Sequence, residues 1–92
     1  MSMCTLAIIR SAKAFVDQHP VYASAASTFL KGRPAVKGLR FIAATVSGDD
    51  RLGRVCCVTV KMQSRNSVLW IEIRDDGGKL VAKAVVDREK TA

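Results

Sequence analysis

Two kinds of periodicity divide the chain. Leu69, Ile71 and Ile73 alternate with Trp70, Glu72 and Arg74; further on, Leu80, Ala82, Ala84 and Val86 alternate with Lys79, Val81, Lys83 and Val85. A period of two gives a segment two faces, so both runs predict strands. Between them lies Asp75-Asp76-Gly77-Gly78, residue types that tolerate the positive φ of a tight hairpin. The two acids there serve turn chemistry rather than catalysis. Upstream, "LRFIAATV" (39–46), the Val-rich "RVCCVTVKM" (54–62) and "SVLWIEIR" (67–74) are joined by the polar "SGDDRLG" and "QSRN". With "KLVAKAVVDR" (79–88) they make four sequential strands on short connections, which predicts an antiparallel meander.

The first third follows the other period. Ile8, Ile9, Ala12, Phe15 and Val16 recur at helical spacing, with Arg10, Lys13 and Asp17 largely opposite. This predicts a helix over residues 5–18, capped by Thr5 or Ser2 and stopped by Pro20. Residues 21–30 fit either state: the alanines favour helix, while Val21, Tyr22 and Thr28 permit strand. "KGRPAVKG" (31–38) then breaks the pattern. The expected class is α+β, an N-terminal helix packed by its apolar stripe on a four-stranded, mainly antiparallel sheet.

With 92 residues the chain forms a single domain, 1–92, around one modest core. Hydrophobic residues make up 49%, which argues against disorder. The aromatics are one Trp, one Tyr and three Phe, so the core is mainly aliphatic. No apolar run approaches the roughly 20 residues that span a membrane. "MSMCTLAIIR" lacks the basic n-region and long apolar stretch of a signal peptide, and a cytoplasmic location is expected. Cys4, Cys56 and Cys57 are odd in number and show no Cys-x-x-Cys spacing, and there is a single His. No metal site is expected, and the thiols read as reduced and buried.

Lys and Arg number 15 against eight acids, a formal charge of +7. Solubility alone accounts for such an excess, and so does an anionic partner. A phosphate-bearing small ligand fits; nucleic acid is the alternative, although no nucleic-acid motif is present and the few aromatics form no evident stacking platform. Lys31, Arg33, Lys37 and Arg40 cluster around the Gly/Pro-rich segment, where glycines let backbone N–H groups approach an anion. No Gly-x-x-x-x-Gly-Lys-Ser/Thr pattern accompanies them.

Asp17 and His19 are the one acid–imidazole pair close in sequence. An Asp can orient a His for general-base work. Positions i and i+2 of a helix diverge, however, and a His before Pro20 suits a helix end. Ser11 has no base nearby, and Val55, Val58 and Val60 around Cys56 and Cys57 suggest burial rather than an activated thiolate.

Three pieces of the second half occur in a suggestive order: Arg40-Phe41, Gly48-Asp49 with Leu52, and Gly78-Lys79-Leu80-Val81-Ala82. In that order and spacing they resemble the second half of a hot-dog domain, the superfamily of acyl-CoA thioesterases and hydroxyacyl-thioester dehydratases. The resemblance covers about half the chain. It implies that residues 5–18 are the helix the sheet wraps, that the family's first strand is missing, and that the chain forms a homodimer or a subunit of a larger hot-dog assembly. It further implies an acyl thioester of coenzyme A or of a pantetheine carrier as substrate, with no separate cofactor. Lys31, Arg33, Lys37 and Arg40 would face the ligand's phosphates. The early-helix acid used by such enzymes has no counterpart, since Ile8, Ile9, Arg10 and Ser11 stand there. Asp17 and His19 are then the catalytic candidates of a thioesterase- or dehydratase-like, or catalytically degenerate, domain. The alternative is a non-enzymatic basic module that binds a protein partner or nucleic acid.

Overall fold

A computed structural model describes residues 4–32, 38–49, 54–65 and 67–88, with backbone alone at 49 and 85–88. The elements are β1 (Cys4–Ile9), α1 (Ala12–Gln18), α2 (Pro20–Lys31), β2 (Arg40–Asp49), β3 (Arg54–Gln63), β4 (Ser67–Asp76) and β5 (Lys79–Arg88). All five strands form one antiparallel sheet in the order β1-β2-β3-β4-β5. The α+β class and the meander agree with the pattern of the sequence.

The start of the chain does not. Residues 4–9, expected to open a helix, form a strand paired with β2, so there are five strands and not four. A strand therefore does precede the helices, contrary to the expectation that the first one is missing. The helical stripe was a coincidence of spacing across a strand–helix junction. Ile9 is buried from the strand and Phe15 from the helix, while Ile8 and Val16 are 55% and 52% exposed. The helix starts where Ser11, in extended conformation, accepts a hydrogen bond from the Ala14 N–H through its side chain at 3.3 Å. That replaces the expected cap at Thr5; Ser2 lies outside the described residues. Pro20 ends α1 and also occupies the first turn of α2, where its missing N–H costs nothing and its fixed φ suits the helix. The ambiguous 21–30 segment is thereby helical.

Both helices lie on one sheet face. Ala44, Val46, Val58, Val60, Leu69, Ile71 and Ile73 carry the core, and Phe15 and Ala26 are the helix residues buried against them. Each fully buried aliphatic side chain contributes about 1.5–3 kcal/mol. Phe15 stacks on Phe41 with ring centroids 5.9 Å apart, which joins α1 to β2. Tyr22, Ala23, Ala25, Phe29 and Leu30 bring α2 onto the same core.

Two local devices shape the sheet. Ser47 pairs with Cys57 but Gly48 pairs with Val55, so Cys56 is the extra residue of a β-bulge. A Cβ on Gly48 would collide with the Arg54 carbonyl oxygen and lie 2.9 Å from its carbon. The absent side chain is what allows β2 and β3 to approach at the bulge. The β4–β5 turn is Gly77-Gly78 at φ of 64° and 90°, and the Asp75 carboxylate accepts the Gly78 N–H at 2.9 Å. Asp75 thus has the turn role its sequence context suggests.

Candidate functional site

The expected catalytic pair does not assemble. Asp17 is exposed in the last turn of α1, and it makes no hydrogen bond or ion pair with His19. His19 is the joint between the helices. Its N–H donates to the Phe15 carbonyl at 2.8 Å, and its half-buried ring sits 6.4 Å from the Phe15 ring. Its surroundings are those of a packing residue at a helix corner. Of the expected anion cluster, Lys31 is exposed at the end of α2 and Arg40 is exposed at the start of β2. Arg33 and Lys37 lie outside the described residues, as does Leu52.

The cysteines are free thiols. Cys57 is buried, and burial followed by the Glu72 carboxylate pushes its pKa up, against smaller opposing contributions from Thr59 and Arg74. A thiol so placed stays protonated and unreactive at neutral pH. The Cys56 Sγ points to the Arg54 carbonyl at 3.8 Å. Tyr22 reaches from α2 toward this corner, its hydroxyl 3.5 Å from the Val55 carbonyl. Burial, with the negative charge of Asp75 behind it, raises its pKa. A shallow opening of about 260 Å³ lies between the bulge and the hairpin, lined by Arg54, Val55, Cys56, Asp75 and the turn glycines. Among the described residues no group of three His, Cys, Asp or Glu side chains could hold a metal ion.

The opposite sheet face has a different character. Alternation sends Val58, Val60, Leu69, Ile71 and Ile73 to the helices, and therefore sends Thr59, Lys61, Trp70, Glu72 and Arg74 to the other side. Register sets these in rows: Thr59 beside Glu72, Lys61 beside Trp70, Cys57 beside Arg74 and Glu72 beside Lys83. The Lys61 ammonium stands 5.2 Å from the centre of the half-buried Trp70 ring, a cation–π contact. Glu72 lies between two cations, with Oε1 2.9 Å from Arg74 Nε and 3.6 Å from Lys83 Nζ. That oxygen is buried and accepts no directed hydrogen bond. The short Arg74 approach is therefore ionic and off the N–H axis. Both cations are well exposed, so the pairing contributes little to stability.

Arg40, opposite Gln63, shares this face, and Asp76 closes it at the hairpin end. There a depression of about 400 Å³ is lined by Glu72, Arg74, Asp75, Asp76, Val81 and Lys83. The face thus presents five cations, Arg40, Lys61, Arg74, Lys79 and Lys83, against the carboxylates of Glu72 and Asp76, around the chain's one tryptophan. Among the described residues Glu72 is the acid that makes ion pairs, which leaves Lys61 and Arg40 without a carboxylate partner. Sequence reasoning missed this grouping because it depends on strand register. The one signal available was Trp70 on the polar side of an alternating run.

Among the described residues no helix is long and apolar enough to cross a membrane. No protein-family model matches the sequence, and neither a curated protein nor a solved structure matches the chain.

Proposed function

We propose that this chain is a non-enzymatic basic binding module whose ligand is single-stranded nucleic acid, held on the sheet face that the helices leave open. The observation that carries the reading is the Lys61–Trp70 pair set among Arg40, Arg74 and Lys83. An aromatic ring on an open sheet offers a base a stacking surface, and cations along neighbouring strands meet successive phosphates. Glu72 holds Arg74 and Lys83 at the edge of that surface. The formal charge of +7 favours approach of a polyanion.

Acyl-thioester binding or processing is supported less well. It rests on the hot-dog resemblance and on Lys31 and Arg40, while Asp17 and His19 form no acid–base pair. Fluorescence anisotropy with a labelled oligouridylate separates the two. With three or four phosphates neutralised, log K should fall with log salt at a slope of about −2 to −3. Lys61→Glu should weaken binding by about tenfold or more, and coenzyme A should compete poorly. Salt-independent binding, or tight binding of coenzyme A that survives Lys61→Glu, would overturn the nucleic-acid reading.

A further inference from the structure

The two edges of the sheet are built differently. β5 carries Lys79 and Lys83, both exposed, in the manner of a strand protected against pairing. β1, at the other edge, is "CTLAII" and contains no charged residue and no proline. Residues 5–8 are exposed one after another, on both faces of the strand, with Ile8 at 55% and Leu6 at 36%. The strand's outer row of backbone groups faces no other strand among the described residues. A bulge at Leu6 is the one protective device present.

We propose that β1 is a self-association surface, and that its occupant is β1 of a second copy, paired antiparallel across a two-fold axis near Ala7. The chemistry of the strand selects this partner. An uncharged strand offers no ion pair to a charged peptide, so it is best matched by a strand that is also uncharged and exposed, which the chain itself supplies. Centring the pair on Ala7 sets Leu6 of each copy opposite Ile8 of the other, which covers both exposed side chains. Antiparallel pairing also answers the mutual repulsion of two basic bodies. It sends Arg10, just past the strand, to the far end of the second copy's β1. The two guanidinium groups are then separated by roughly six residues of strand, about 20 Å, well beyond the screening length of about 8 Å.

A two-fold that pairs strands this way is perpendicular to the sheet, so both open faces lie on the same side of one continuous sheet. The inference does not depend on what that face binds. A single strand pair buries less than the roughly 1,200 Å² of a stable interface, so the dimer should dissociate on dilution.

Sedimentation velocity over a wide concentration range, with the full chain and no nucleic acid present, tests it. The mass should rise from 10.0 kDa toward twice that value as concentration increases. Ile8→Lys should weaken association by about tenfold or more, because it places a charge on the edge. Val81→Lys, which adds the same charge to the other edge at a 47% exposed position, should leave it unchanged. Circular dichroism checks that each variant folds. If Ile8→Lys does not, amide exchange on the native chain decides: β1 amides should become protected as concentration rises, and those of β5 should not. A concentration-independent 10.0 kDa species, or a dimer untouched by Ile8→Lys, would overturn the inference.

Discussion

Phe15 is the one side chain by which α1 is fully anchored, and its replacement by alanine gives a sharp test of the packing. The ring is 3% exposed and stacks on Phe41 at 5.9 Å, while its α1 neighbour Val16 faces solvent and Ala14 is only partly covered. Truncating a buried Phe to Ala costs about 3–5 kcal/mol, the lost transfer free energy plus the cavity left behind. The stacked pair adds to the higher end of that range. A domain of this size has an unfolding entropy near 0.2 kcal/mol/K, from about 2.1 cal/mol/K per residue. The midpoint should therefore fall by about 15–25 °C. Total stability of such domains is about 5–15 kcal/mol, so the variant still folds at low temperature unless the native chain lies at the bottom of that range. Thermal melts by circular dichroism, with urea titration for the free energy, provide the measurement. A midpoint shift below about 5 °C would mean that α1 is peripheral and that Phe41 packs without it.

Gly48→Ala should destabilise by about 3 kcal/mol or more, because the new Cβ meets the Arg54 backbone and not a movable side chain; urea titration reads the loss. Stability should also fall at alkaline pH. The pKa of Tyr22 is raised above its unfolded value of about 10, so its contribution is intact below that pH and is lost as pH rises through the folded value. In urea titrations above pH 10, Tyr22→Phe should flatten part of this slope; an unchanged slope would remove Tyr22 as its source. Asp75→Ala removes the acceptor for the Gly78 N–H in the exposed turn and should cost about 0.5–1.5 kcal/mol, with the fold intact by circular dichroism.

β4 and β5 were legible because their residues alternate between a covered face and a solvated one, and β2 and β3 because they are apolar, partly Val-rich runs bounded by polar connections. β5 runs over the predicted 79–88, and the Gly77-Gly78 turn lies within the predicted hairpin. β1 was not legible for the opposite reason. It is exposed on both faces and carries no polar residue but Thr5, so no alternation marks it as a strand. Ile8 and Ile9 therefore joined the helical spacing of Ala12, Phe15 and Val16. Ser11, which caps α1, falls inside that spacing and is hidden by it. The bulge at Cys56 had one available signal, a glycine within the facing strand, which often marks such a site. The grouping on the open face depends on register, and Trp70 on the polar side of its run was its one sign in the sequence. Lys61 and Trp70 are nine positions apart in sequence and become neighbours only through the β3–β4 pairing.

Trp70 is the chain's single tryptophan, so its intrinsic fluorescence reports directly on the proposed ligand surface. Titrating the native chain with oligouridylate at low salt should quench that emission, and added salt should restore it as the phosphate contacts are released. Emission that stays constant while anisotropy reports binding would place nucleic acid elsewhere on the molecule. Emission and anisotropy that both stay constant would contradict the proposed function outright.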